Sequence, residues 1–304
     1  MSHDLLVRLP NWVGDVCMAL PALNALESVG FRLHLAGKGW AKDLLAGHGW
    51  SITPLPKPFG EARKSLAAVK VRDGLLLTNS LGSALQFRLA GVRAVGHAAE
   101  GRSLLLARAL AKPSPCHEVQ VFWRLAQTTA THHGLLLPEL PPTALGLRLT
   151  ETHHAQATAA LADIPGPFVA LAPLAAGTIN GQPKLWPGFP LLARLLTSEG
   201  IALVACPGPG EETATAEAVP GARLLPGLKL GAYAAVLTRA LVTVANDSGP
   251  MHLAAATGSP VIGLFGVSDP ARTRPWQGTA LGSPTGWPRV EDVMREILGR
   301  MRPQ

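Results

Sequence analysis

The segment Asn246-Asp247-Ser248-Gly249-Pro250-Met251-His252 follows an apolar run at 241–245 and leads into Leu253-Ala254-Ala255-Ala256. A strand that passes through Asp-Ser-Gly into a helix aims the first amides, here those of Ser248, Gly249 and Met251, at whatever sits above the sheet. Pro250 has no amide hydrogen but suits a first helical turn. Such a helix start favours a diphosphate: Gly249 leaves the backbone approachable, Asp247 can accept from sugar hydroxyls, and His252 lies one turn in. The same residues also suit a capped helix that holds nothing. A second carboxylate, Asp15, follows the apolar run 5–9 and the turn Pro10-Asn11-Trp12-Val13-Gly14. Its position serves a helix cap and a proton acceptor equally well. Lys184 sits in Pro183-Lys184-Leu185-Trp186-Pro187 after the run 168–172; an isolated lysine is usually a solvated surface residue. Glu211 and Glu212 end the loop Pro207-Gly208-Pro209-Gly210 and can cap the helix that follows.

These residues need elements to hold them. Short β-rich apolar runs alternate with longer Ala/Leu stretches, the pattern of parallel sheets covered by helices, so the fold class is α/β. In the first half the strands are expected at 5–9, 32–36 and 74–77, with helices at 16–26 and 41–45. The Pro-rich segment 138–150 reads as the approach to a second domain. The second half repeats the scheme with strands at 168–172, 203–206, 241–245 and 261–264. Two Rossmann-like domains result, 1–150 and 151–304. A last helix at 290–301 carries Val290, Val293, Met294, Ile297, Leu298 and Met301 at helical spacing and must dock. Asp15, Lys184, Glu211 and Asp247 all follow the carboxyl end of an expected strand, where open α/β sheets bind ligands.

Composition narrows the partners. Hydrophobic residues make up 47% of the 304 and charged ones 15%, with mean hydropathy +0.23, which excludes a disordered chain. No run approaches the roughly 18 apolar residues of a membrane span, so a soluble protein is expected. The start, Met1-Ser2-His3-Asp4, lacks the regions of a secretory signal, so a cytoplasmic location is expected. Cys17, Cys116 and Cys206 form no paired motif, and no metal site is expected. The His132-His133 and His153-His154 pairs lack ligand-spaced carboxylates or cysteines and read as surface or linker positions. A net charge of +7 and pI near 9.8 call for an anionic partner. The arginines are scattered, many in helix-like stretches such as 102–112, and no basic run is interleaved with aromatics, which disfavours nucleic acid. A phosphate-bearing ligand and the anionic inner face of a membrane remain. Neither half has a G-x-G-x-x-G turn after its first strand, which disfavours a dinucleotide oxidoreductase.

Longer motifs add a resemblance. Arg8-Leu9-Pro10-Asn11-Trp12-Val13-Gly14-Asp15-Val16 resembles the opening motif of glycosyltransferase family 9, the heptosyltransferases, and especially its heptosyltransferase II branch. Thr78-Asn79-Ser80-Leu81-Gly82-Ser83-Ala84 with Ala90-Gly91-Val92 is similar to a first-domain segment of the same enzymes. Lys184-Leu185-Trp186-Pro187 looks like their Lys-x-Trp-Pro motif. Asn246 to His252, continued by Pro260-Val261-Ile262-Gly263-Leu264-Phe265-Gly266 and Asp269-Pro270, resembles their nucleotide-sugar site. The resemblance covers nearly the whole chain and is weakest over 36–70.

What it implies is a GT-B architecture: two Rossmann-like domains facing across a cleft, with the last helix (about 290–302) packed back on the first domain. It implies inverting transfer of a heptose from ADP-heptose to the lipopolysaccharide inner core, on a lipid A-Kdo-heptose acceptor. Asp15 would be the base and Lys184 the electrostatic catalyst on phosphate. The donor would meet Thr178, Lys184, Glu211, Leu228, Asp247, Ser248, Gly249, Pro250 and His252, with Glu211 favoured over Glu212 for the ribose. Pro226-Gly227-Leu228 would hold the adenine through its backbone. Asn11, Trp12, Gly14, Asn79 and Ser80 would line the acceptor side. No cofactor or metal is implied, ADP-heptose being a substrate. The other partners are the lipid-linked oligosaccharide and, peripherally, the inner face of the inner membrane. Where the family often has a threonine pair or a Gly-Ala-rich turn, this chain has Ala176-Gly177-Thr178-Ile179-Asn180-Gly181-Gln182. A different nucleotide sugar or core position is the alternative within the class. A catalytically silent nucleotide-binding protein is the alternative outside it, and Asp15 beside Gly14 argues against that.

Overall fold

Each half of the chain threads six parallel strands in the same non-sequential order. The computed structural model describes residues 3–164 and 166–301. The chain divides into two compact units, Met1–Arg148 and Leu149–Gln304.

In the first unit the strands are β1 (His3–Arg8), β2 (Phe31–Gly37), β3 (Ser51–Pro54), β4 (Asp73–Leu76), β5 (Arg93–His97) and β6 (Arg108–Leu110). They lie in the order β3-β2-β1-β4-β5-β6. The helices are α1 (Val13–Ser28), α2 (Ala41–Leu44), α3 (Phe59–Ala68), α4 (Leu81–Leu89) and α5 (Glu118–His132). The chain runs outward from β1 to β3, then returns to β4 and runs the other way. Right-handed crossovers therefore put α1 and α4 on opposite faces and leave an opening between β1 and β4 at their carboxyl ends. Leu5, Leu6 and Val7 on β1 are completely buried, as a central strand covered on both faces requires.

The second unit opens with α6 (Glu151–Ala160) and repeats the sheet with β7 (Phe168–Ala172), β10 (Ala202–Ala205), β11 (Arg223–Leu224), β12 (Val242–Asn246), β13 (Val261–Phe265) and β14 (Thr279–Gly282). The order is β11-β10-β7-β12-β13-β14, so the switch point falls between β7 and β12. Two short strands, β8 (Thr178–Ile179) and β9 (Gln182–Pro183), make an antiparallel hairpin after β7. The helices are α7 (Phe189–Ser198), α8 (Glu212–Ala218), α9 (Leu230–Leu237), α10 (Gly249–Ala256), α11 (Pro270–Thr273) and α12 (Val290–Met301).

Three expectations change. The apolar stripe of α12 was expected on the first domain, but Val293 and Ile297 are buried in the second unit's own core beside Leu192 and Leu196 of α7. The basic stretch 102–112 is not helical: Arg102–Leu105 is a single 3-10 turn, and the segment then becomes the edge strand β6. His153 is not at the surface. Its Nδ1 accepts from the Thr150 amide at 3.3 Å, closing a capping box at the start of α6, and its ring lies where a side chain at Gly231 of α9 would have to go.

Two other buried histidines make the first unit acid-sensitive. His48 accepts from the Arg148 amide at 3.2 Å, and His97, at the end of β5, has no hydrogen-bond partner for its Nε2 among the described residues. Burial, with Arg148 near His48 and with Lys112 and Arg102 near His97, lowers both to about 4. The unfolded chain takes up these protons near pH 6.5 while the folded one refuses them down to about 4. Stability contributed by the neutral rings is therefore intact above pH 6.5 and falls as pH drops towards 4. Thermal denaturation across this window should show a smaller acid loss for His97→Gln than for the wild type, and parallel curves would show that His97 has no part in it.

Candidate active site

On the first unit, the residues after β1 and β4 meet at the switch point. The helix α1 starts at Val13, with Trp12 as its extended N-cap, so Asp15 is the third residue of the helix and not its cap. Its side chain is half-buried in the first turn, where a carboxylate complements the helix dipole. Gly14 is buried beneath the turn. Arg8 fixes the loop ahead of it, donating to the Leu9 carbonyl at 2.8 Å and to Asn11 Oδ1 at 3.1 Å. Trp12 is 63% exposed, with the Lys38 ammonium 5.5 Å from its ring centroid.

Across the switch point, Ser80 caps α4 by accepting from the Ser83 amide at 3.3 Å. The loop that carries Asn79 is held from below by Arg102, which is fully buried. Its guanidinium donates to the carbonyls of His97 at 2.8 Å and Thr78 at 2.7 Å, and to Asn79 Oδ1 at 3.4 Å. Sequence reasoning missed Arg102, because one more arginine in a basic stretch carries no sign that its charge is spent on carbonyl groups.

On the second unit, the loops after β7 and β12 are locked together. Asn246 ends β12 with no exposure; its Oδ1 accepts from the Trp186 amide at 3.0 Å and its Nδ2 donates to the Pro173 carbonyl. Trp186 is buried, donates from Nε1 to the Pro288 carbonyl at 3.0 Å, and packs edge-on against Phe189. These contacts aim Lys184 at the start of α10. Its Nζ donates to the Asp247 carbonyl at 2.6 Å and stands 3.4 Å from Asp247 Oδ2. In the sequence Asn246 reads only as part of a motif; its buried amide is the clamp of the site.

Ser248 is the N-cap of α10, yet its side chain does not cap, and its buried Oγ has no hydrogen-bond partner among the described residues. Pro250 lies in the first turn, while Gly249 and Met251 bring amides that have no acceptor within the helix. His252 is buried one turn in. Thr178 is exposed on the hairpin, paired with Pro183, the neighbour of Lys184. Glu211 follows β10 at the N-cap position of α8, and its Oε2 accepts from the Gly208 amide at 3.0 Å; Glu212 begins that helix. Leu228 is half-buried in the loop after β11, beside Gly227 with its φ of 76°. All of these follow carboxyl ends of one parallel sheet and so share one edge.

The thiols beside the two edges are inert. Burial, reinforced by the Asp15 carboxylate, pushes Cys17 well up, and burial pushes Cys206 up to about 12, so neither supplies a thiolate nucleophile. Among the described residues no group of three or more His, Cys, Asp or Glu stands close enough to hold a metal.

The family model for glycosyltransferase family 9 (heptosyltransferase) matches residues 60–287, three quarters of the chain. This chain belongs to that family. Its membership makes it a transferase enzyme, and the match reaches from α3 through the clamp of Asn246 and Lys184 to Trp287. A lipooligosaccharide heptosyltransferase 2 of Haemophilus influenzae is 26% identical over 303 residues, covering 90% of this chain and 86% of the relative. The solved ADP-heptose heptosyltransferase II of E. coli superposes with a TM-score of 0.79 at 24% identity, over 98% of this chain and all of that one. The E. coli heptosyltransferase WaaC, solved with ADP-2-deoxy-2-fluoro heptose, superposes with a TM-score of 0.74 at 20% identity, over 97% and 99% of the two chains. The likeness to these solved structures is one of fold: two parallel six-stranded sheets flanked by helices.

Proposed function

We propose that this family 9 member is an inverting heptosyltransferase that moves a heptose from ADP-heptose to the lipopolysaccharide inner core, on a lipid A-Kdo-heptose acceptor. The observation that carries the reading is the Lys184 ammonium held at the start of α10, next to a buried Ser248 hydroxyl that caps nothing. A cation, a helix N-terminus and an unused donor at one point suit a diphosphate that gathers charge as it leaves. The ADP-linked sugar in the WaaC structure and the name of the Haemophilus influenzae relative support the donor and the acceptor class.

In this reading the donor's diphosphate lies on Lys184, Ser248 and the amides of Gly249 and Met251. Glu211 accepts from the ribose hydroxyls, Thr178 and Leu228 border the nucleotide, and Asp247 meets the sugar. Asn11, Trp12, Gly14, Asn79 and Ser80 border the acceptor. The acceptor oxygen forms a bond to the anomeric carbon as the bond from that carbon to the diphosphate oxygen breaks. Asp15 takes the hydroxyl proton, and ADP leaves with the electron pair. Attack opposite the leaving group inverts the anomeric carbon. The protein works in the cytoplasm, peripherally at the inner face of the inner membrane.

Incubation with ADP-heptose and lipopolysaccharide truncated to lipid A-Kdo-heptose should add the mass of one heptose to the acceptor. A gain seen only with another nucleotide sugar would replace the donor, and retention of the anomeric configuration would replace the mechanism.

A further inference from the structure

The helix α4 presents its apolar residues to solvent. Leu81, Leu85 and Leu89, one turn apart, are 45%, 37% and 52% exposed, while Ala84 and Phe87 fill the core side. The 3-10 turn Arg102–Leu105 packs against α4 and adds Leu104 at 96% exposure. That leucine does not dangle: the buried Arg102 two residues before it anchors the turn through four hydrogen bonds. A helix normally turns such a stripe inward, so a rigid outward row marks a surface that meets something apolar.

Charge identifies what it meets. Residues 57–112, which carry α3, α4 and this turn, contain ten Lys or Arg and three Asp or Glu. That surplus of seven equals the net charge of the whole chain, so the basic excess lies in the stretch that carries the leucines, with Arg102 turned inward onto carbonyls and Arg93 and Lys112 paired with Asp73 and Glu118. Lys64 on α3 and Arg88 on α4 are exposed and make no ion pair among the described residues. A leucine row set in basic surroundings matches the two layers of an anionic bilayer surface, headgroups outside and acyl chains beneath. The same surplus repels a second copy of this chain.

We infer that the exposed row Leu81, Leu85, Leu89 and Leu104, within its basic surround, docks the first unit on an anionic phospholipid surface. The purpose rests on the reading of a lipid-linked acceptor. Leu81 and the Asn79–Ser80 loop adjoin at the edge that carries Asp15, so docking here brings a membrane-held hydroxyl to that edge without a soluble intermediate.

Sedimentation of the full chain with vesicles tests it without any turnover, so it can fail or succeed independently of the transferase reading. Vesicles of phosphatidylcholine with phosphatidylglycerol should bind the protein, and phosphatidylcholine alone should bind it at least about tenfold less, with salt weakening the difference. Leu104→Asp and Arg88→Glu should each lower binding about tenfold, with wild-type thermal unfolding and unchanged turnover on a deacylated, water-soluble acceptor. Equal binding to both vesicle types overturns the inference, as does wild-type binding by both variants. A dimer that Leu104→Asp dissociates would overturn it in favour of a second copy.

Discussion

Asp15→Asn should lower kcat by roughly 10² to 10⁴ while the affinity for ADP-heptose stays within a few-fold of wild type. Asparagine keeps the size and most of the hydrogen bonding of the carboxylate but cannot take a proton. The substitution falls at a half-buried side chain in the first turn of α1, so the strands beneath it are not disturbed. The residues proposed to bind the donor belong to the other unit, which is why calorimetric donor binding should hardly move. Transfer measured by release of ADP, alongside that binding, separates the chemical step from substrate capture. Turnover within a few-fold of wild type would remove Asp15 from the mechanism and leave it as a first-turn carboxylate that favours its helix.

Lys184→Ala should weaken donor binding and lower kcat/KM together, the latter by roughly 10² to 10³, the scale for loss of a preorganised electrostatic donor. The physical reason has two parts. The diphosphate loses a cation, and Asp247, whose side chain is only 8% exposed, loses the charge that faces it at 3.4 Å. An unopposed buried carboxylate next to the diphosphate repels it. Lys184→Ala combined with Asp247→Asn should therefore bind donor more tightly than Lys184→Ala alone. If the pair bind alike, the ammonium acts on phosphate only. If Lys184→Ala binds donor like wild type, the phosphate role is wrong. Lys184→Arg should recover little, because a planar fork does not reproduce a compact ammonium directed at one carbonyl.

The sequence made the central strands legible and left the edges out. The runs at 5–9, 168–172 and 261–264 are apolar because β1, β7 and β13 are covered on both faces, while 32–36 is legible by alternation, with Arg32 exposed and Leu33 and Leu35 buried on β2. The edge strands β3, β6, β11 and β14 are two to four residues long and partly exposed, so they carry no apolar run to read. Residue types and strand ends likewise placed Asp15, Lys184, Asp247 and Ser248 on the correct sheet edges, since a parallel sheet puts all its carboxyl ends together.

What the sequence determined by itself was the alternation of buried strands and helices, the doubling of that unit, and which candidate site residues follow the carboxyl ends of strands, because burial and turn chemistry are written locally. Only the tertiary structure decided what the polar side chains do within those loops. It showed that Asn246 clamps Trp186 to Pro173, that Arg102 spends its charge on carbonyls, that Ser248 leaves its helix uncapped, and that α12 finds its cover on α7. Each of these depends on partners 60 or more residues away, or on the choice among several chemically adequate acceptors, and neither spacing nor residue type encodes that choice.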